Sequence, residues 1–430
     1  MDCLKLGLIL LLLGACSKPE PDGFDAGASL AVVNGAVLDE QFFFDSYIDW
    51  LNRTGYNDDS TARYIHLDNA IDVMLLAQEA RASGMMSSGA YLDYERVMRD
   101  GALGGRFLQA AVFDTMGGIT ESQLRDAFEK SNRKVYVRQL YFTEENQARR
   151  YHSRLLAGED FVALANELYA TSVYDSSAGF MDDISYFGVD DAFAETAFNL
   201  GMFEYSEPVR TRQGWVIIRV ENMNRNPVLT EAAYQNRRKR LYSLLMERKV
   251  NLLGDAFVRG FMQELQPAIQ PDVYQQMEPY LTGLTPDARI AASEFQVIQQ
   301  ELEPTSVLVL YKYEGETREF TVSQFLKWLP YLPYAEVRTR PGAAIGRALR
   351  NEVFAIAGED AGYASDPKVR WQMNYVTTFR LANDIRATIP SDSLLAETIK
   401  ELRDKADIQV DTEAFRSLAP MYSLPRMGNQ

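Results

Sequence analysis

Hydrophobic and polar positions follow three textures along the 430-residue chain. From Leu30, "LAVVNGAVLDEQFFFDSYIDWL" reads as a short strand, a turn at Asn34-Gly35, and a second strand entering a helix. In "HLDNAIDVMLLAQEARASG" the residues Ile71, Met74, Leu75 and Gln78 fall at helical spacing, and Gly84 supplies a stop. A further helix is predicted over 90–113. Another opens at "TESQLRDAFEKS", with Thr120 as N-cap and a carboxylate in its first turn. Residues 30–131 are therefore expected to be mostly helical.

Residues 133–222 alternate differently. "KVYVRQLYF" has the period of a half-buried strand, and "EENQARRYHSRLLAG" and "EDFVALANELYA" are two helical stretches split by Gly158. A loop, "TSVYDSSAGFMDD", leads to a short strand "ISYFG". The helix "DAFAETAFNLG" follows, with Phe193, Ala197 and Leu200 on one face and Gly201 as its stop, and "GWVIIRVEN" closes as a strand. Strand, helices, short strand, helix, strand within so few residues predicts a compact α+β domain with a small antiparallel sheet. Beyond Asn226-Pro227 the pattern turns helical again, in an amphipathic stretch too long for a small domain alone to cover.

The last third echoes the first. "VLVLYKYEGETREFTVSQFLKWL" repeats the strand, glycine turn and aromatic-rich helix start. Gly35 and Gly315 lie 280 positions apart, as do Ala77 and Ala357, and Glu79 and Glu359. A duplicated helical module and a chance likeness of two hairpins both fit so few identities.

Composition narrows the function classes. Basic residues number 44 against 60 acidic, a net charge of −16, which repels nucleic-acid phosphates. The opening "MDCLKLGLILLLLGAC" has a lysine, an apolar run shorter than a bilayer span, then small residues before Cys16. It resembles a bacterial lipobox, which implies cleavage before Cys16 and acylation there. Each buried methylene of such chains contributes about 0.8 kcal/mol of membrane binding. Ser17 after it resembles an outer-membrane sorting signal. Residues 1–15 are then a signal peptide and 16–29 a tether. With Cys3 removed and Cys16 acylated, neither a disulfide nor a cysteine nucleophile is expected.

Residues 135–221 resemble a parvulin domain, the PpiC-like peptidyl-prolyl isomerase fold. The likeness rests on "AGEDFVALANEL", "DISYFG" and "DAFAETAFNLGMFEYSEPVRTRQGWVIIRVEN", in that order. The flanks resemble the chaperone segments of SurA- and PrsA-type periplasmic proteins. This implies a domain at 132–224 between helical modules at 30–131 and 225–430. Family members twist a peptide bond whose barrier is about 18–20 kcal/mol, using two histidines on adjacent strands, a nearby Cys or Asp, and an apolar proline pocket. Matched position by position, the histidines become Gln139 and Val216, and the acid falls on Asp175. The pocket falls on Ile184, Val189 and Phe193. Valine neither donates nor accepts a hydrogen bond, and glutamine cannot share a ring proton. The resemblance thus implies an isomerase fold whose activity is absent or weak. An unpartnered loop aspartate such as Asp175 is more often a solvated turn residue, and residues such as Ile184 and Phe193 are more often plain core.

Other chemistry is sparse. His66 reads as lying at a helix start and His152 on a helix surface. Neither has ligands at metal spacing, and no glycine-rich phosphate loop appears, so no metal or cofactor is expected. What remains is binding. The aromatic clusters Phe42–Tyr47–Trp50 and "FLKWLPYLPY" are either helical core or the lining of a groove, with Met85-Met86 as adaptable contact. The expected protein is a lipid-anchored periplasmic chaperone for unfolded envelope or outer-membrane polypeptides. Two alternatives stand beside it: an active prolyl isomerase using Asp175, and a structural lipoprotein docked to one envelope partner.

Overall fold

The computed structural model describes residues 24–169, 179–225, 230–287 and 289–418. The expected signal peptide, Cys16 and Asp175 lie outside the described residues. The chain divides into two compact units: the flanks, up to Asp114 and from Gly260, make one, and Thr115–Arg259 the other.

The flanking unit begins with a hairpin of β1 (Ser29–Val33) and β2 (Ala36–Asp39). Its turn residues Asn34 and Gly35 take φ of 49° and 80°, the left-handed region that asparagine and glycine tolerate best. Helices α1 (Glu40–Thr54), α2 (Ser60–Ala82) and α3 (Gly89–Leu108) follow, and the Asp39 carboxylate caps α1 by accepting from the Phe42 N–H.

The central unit opens with α4 (Glu121–Lys130), held by a reciprocal cap between Thr120 and Gln123. Then come β3 (Arg133–Phe142), α5 (Glu145–Leu156), α6 (Phe161–Tyr169), β4 (Phe180–Ile184), α7 (Asp191–Ala197), β5 (Val209–Arg210) and β6 (Trp215–Arg225). The sheet order is β4-β3-β6-β5, antiparallel throughout. The short strand precedes its expected place: only Ile184 of "ISYFG" is in it, and Ser185–Gly188 is a turn closed by Gly188 N–H to Ser185 O. Helix α7 likewise stops at Ala197, before Gly201. Helix α8 (Glu231–Leu265) belongs to this unit as far as Arg259.

The chain re-enters the flanking unit through β7 (Ala268–Ile269), α9 (Pro271–Thr282) and α10 (Ala292–Glu301). The hairpin β8 (Val307–Tyr313) and β9 (Glu316–Thr321) comes next, then α11 (Val322–Trp328), α12 (Tyr334–Thr339), α13 (Pro341–Asp360), α14 (Pro367–Thr388), α15 (Asp392–Lys405), β10 (Ile408–Val410) and α16 (Thr412–Ser417).

Within this half, the run from β8 to α14 follows the order of β1 to α3, with α12 added between α11 and α13. Glu314 and Gly315 turn the β8–β9 hairpin at positive φ, and Thr321 caps α11 as Asp39 caps α1. Gly84 and Gly362 follow the ends of α2 and α13 in the left-handed conformation, each before a short 3₁₀ turn. These two glycines are two residues out of step with the 280 spacing. Glu359 therefore matches Arg81 rather than Glu79, and Ala357 does not match Ala77. With β2 of 4 residues and β9 of 6, no single offset spans the repeat.

The expected boundaries at 132 and 224 also shift. Strand β10 completes the sheet of β1 and β2, and β7 completes that of β8 and β9, so the flanks fold as one unit rather than two modules. Helix α3 crosses α13 where a Cβ on Gly358 would stand 2.4 Å from the Leu103 carbonyl oxygen. Helix α4 and the start of α8 join the central sheet because Leu124, Phe128, Tyr234, Leu241 and Leu245 share its core.

The two aromatic clusters of the flanks are partly core, with Phe44, Trp50, Tyr331 and Tyr334 half-buried. Phe42, Phe43, Tyr47, Phe325 and Trp328 are buried. His66 is buried inside α2, past its start, with Nε2 2.8 Å from Ser46 Oγ. Its ring lies against Phe43, Tyr47 and Trp50. His152, expected at the surface, is buried too, with Nδ1 3.3 Å from a Glu207 oxygen and its ring edge-on to Tyr205.

Candidate functional site

Strands β3 and β6 pair antiparallel with Gln139 opposite Ile218 and Tyr141 opposite Val216. Directly opposed residues point to the same face, and so do residues two apart on one strand. Gln139, Tyr141, Val216 and Ile218 therefore share one face, and Gln139 and Val216 are diagonal neighbours on it. Leu140, Phe142 and Ile217 occupy the other face, in the core formed with α5 and α6.

The first face is packed. Val216 is 3% exposed and Phe193 4%, and both sit in one cluster with Ile184, Ile218, Tyr186 and Phe198. Val189 and Tyr141 pack against that cluster. Gln139 is half-buried. Its N–H donates to Gly179 O at 2.9 Å, and its carbonyl accepts from the Tyr169 hydroxyl at 3.0 Å. Tyr141 donates its hydroxyl to Gln213 O at 2.9 Å, which fixes the phenol beside Val216. Of the residues singled out from sequence, Ile184, Val189, Phe193 and Val216 come together and Gln139 shares their face. Val216 and the apolar side chains packed around it supply no acid or base of their own.

Sequence reasoning missed the anchor of this unit. Arg248 of α8 is 3% exposed and donates to Asp191 Oδ1 and Glu195 Oε1, each at 3.0 Å, and to Tyr186 O. Its guanidinium lies 4.1 Å from the Tyr186 ring centre and 4.7 Å from that of Phe187. Asn251 bonds the second Asp191 oxygen at 3.0 Å. Tyr186 donates to Glu195, and burial with that carboxylate raises the phenol's pKa above its ordinary value. Helix α8 is thus bolted to α7, the helix that supplies Phe193. The signal was present in the sequence: Leu241, Leu245 and Arg248 continue one helical stripe, placing a charge where the pattern demands burial.

Part of the chain is similar to known proteins. Residues 142–222 match the family model described as Rotamase: PPIC-type PPIASE domain. The foldase protein PrsA of Geobacillus kaustophilus is 31% identical over 170 residues, covering 38% of this chain and 59% of that protein. PrsA of Bacillus subtilis is 28% identical over 137 residues, covering 31% and 43%. A crystal structure of peptidylprolyl isomerase (PrsA) from Bacillus anthracis aligns over 51% of this chain and 82% of its own, at 15% identity and a TM-score of 0.26. The chain thus spans less than two thirds of the length of these curated relatives. Between residues 142 and 222 the protein carries a parvulin-type domain of the PPIC rotamase family, set in a chain similar to the PrsA foldases.

Proposed function

We propose that this protein is an extracytoplasmic chaperone that holds unfolded envelope or outer-membrane polypeptides, and that its parvulin domain binds or braces without catalysing isomerisation. The carrying observation is the face shared by Gln139 and Val216. A buried valine stands where the family resemblance places a histidine, and Tyr141 opposite it is tied to Gln213. Twisting a prolyl bond requires a polar group that weakens amide resonance, and neither side chain supplies a titrating one. The likeness to PrsA foldases supports the chaperone part of the reading.

Membrane attachment belongs to the same proposal. No described helix is long and apolar enough to cross a membrane. Attachment is assigned to acyl chains on Cys16, with the polar tether after it giving reach. Aggregation of a denatured outer-membrane protein diluted from urea, followed by light scattering, tests the reading. A form beginning after Cys16 suppresses scattering at a few-fold molar excess. Unchanged scattering, or capture of one folded stoichiometric partner in place of unfolded chains, contradicts it.

A further inference from the structure

In the flanking unit, residues 24–28 form a strap ahead of β1 that belongs to neither helix nor strand. Its Phe24 ring lies 5.5 Å, centre to centre, from that of Trp371 on α14. Glu40 and Gln41, in the first turn of α1, donate their N–H groups to Ala28 O and Ala26 O, both at 2.9 Å. The Asp25 carboxylate accepts from the strap's own Gly27 N–H at 2.9 Å. Gly27 is required for the fit. Its φ is 81°, and a Cβ there would stand 2.7 Å from Glu40 Cβ.

Beneath the strap runs an aromatic stripe. Trp371, Tyr375 and Phe379 recur every fourth residue along α14 and so share one face. Trp371 and Tyr375 stack with their planes 15° apart, and Tyr375 and Phe379 both meet Phe42 of α1. The Trp371 indole is fixed in place, since its Nε1–H donates to Asp39 Oδ2 at 2.9 Å. Phe24, Trp371 and Tyr375 all remain half-buried. A segment held by a surface ring contact and a few exposed main-chain bonds lies at the low-stability end of a fold, and opens at far less cost than global unfolding. Lifting it uncovers a rigid ring face whose present occupant is a phenyl group on a non-helical stretch of polypeptide. We propose that the Trp371–Tyr375 face is a binding site for an aromatic side chain of an unfolded polypeptide, and that the strap occupies it in cis through Phe24 as a displaceable competitor. The inference rests on the chaperone reading and gives it a location and a brake.

The test uses the protein beginning after Cys16, and Phe24→Ser and Gly27→Val variants of it. Serine removes the competing ring, and a β-branched residue at positive φ expels the strap. The probe is a short fluorescein-labelled peptide with one central phenylalanine, read by anisotropy beside the same peptide with alanine there. Either substitution raises affinity for the phenylalanine peptide about threefold to tenfold, the range expected from losing one aromatic contact that holds the site closed. Preference for phenylalanine over alanine grows with it. Adding Trp371→Leu, which leaves α14 an apolar side chain but no ring face, cancels the gain. A strap that merely supports the fold would lower the melting temperature and leave peptide affinity unchanged. Unchanged or undetectable phenylalanine-peptide binding in both variants, with aggregation still suppressed, overturns the strap site and leaves the chaperone reading standing. A gain that survives Trp371→Leu overturns the site as well. Loss of both peptide binding and aggregation suppression in every form, the unsubstituted protein included, overturns both readings.

Discussion

Joining Asp114 to Gly260 through a short glycine–serine linker gives a chain that unfolds in one cooperative transition, whereas excising only residues 135–221 gives one that aggregates. The wider cut follows the division between the two units. Phe107 and Phe261 lie 5.9 Å apart, centre to centre, so the ends to be joined leave the flanking unit side by side. The narrower cut matches the family likeness but strands half of a core. Leu124 and Phe128 of α4, and Tyr234, Leu241 and Leu245 of α8, are buried in the central cluster. Each such side chain left in water forfeits roughly 1.5–3 kcal/mol, and several together exceed much of a domain's net stability of about 5–15 kcal/mol. Calorimetry and size-exclusion chromatography of the two deletions check this. A well-folded narrow deletion beside an aggregating wide one would reverse the assignment of α4 and α8.

Replacing His66 with glutamine removes roughly 3 kcal/mol of acid sensitivity from the flanking unit. Burial, with a smaller share from Arg53, pushes the folded-state pKa of His66 down from 6.5 to about 4. Its Nδ1 has no hydrogen-bond partner among the described residues, so the ring carries no proton to spare without cost. As pH falls through 6.5 the unfolded chain binds a proton that the folded chain refuses. Stability is lost progressively down to about pH 4, and at about 1.4 kcal/mol per unit the total is roughly 3 kcal/mol. Asp45 titrates in the same window with the opposite sign, since burial raises its carboxyl to about 6 and protonation there favours the folded state. The share due to His66 is therefore the difference between the unsubstituted protein and His66→Gln, measured by urea unfolding from pH 7 to pH 4. Parallel stability curves would show that the ring is not held neutral by burial.

What the sequence disclosed depended on range. Local signals were legible: Thr120 with Gln123 announced the start of α4, and Asn34-Gly35 and Gly315 announced two hairpins. The patterns of "KVYVRQLYF" and "GWVIIRVEN" marked two strands, the family resemblance implied that Gln139 and Val216 are neighbours on them, and the register puts both on one face. Pairings across hundreds of residues left no trace. Strand β10 is three residues long and β7 two, too short for a periodic pattern, yet they close the two sheets of the flanks. Nor did composition reveal that Phe203 adopts positive φ or that His152 is buried, because each follows from a partner elsewhere: Val220 in the first case, Tyr205 and Glu207 in the second. The near-repeat was visible at its turns and misaligned between them, where hairpins and linkers differ in length.

Catalysis decides the account. In a protease-coupled assay with a proline-containing tetrapeptide, the chain beginning after Cys16 leaves the isomerisation rate at its uncatalysed value, since the face shared by Gln139, Tyr141 and Val216 holds no histidine and its Val216 is buried. Rapid turnover that disappears in Asp175→Ala would contradict it.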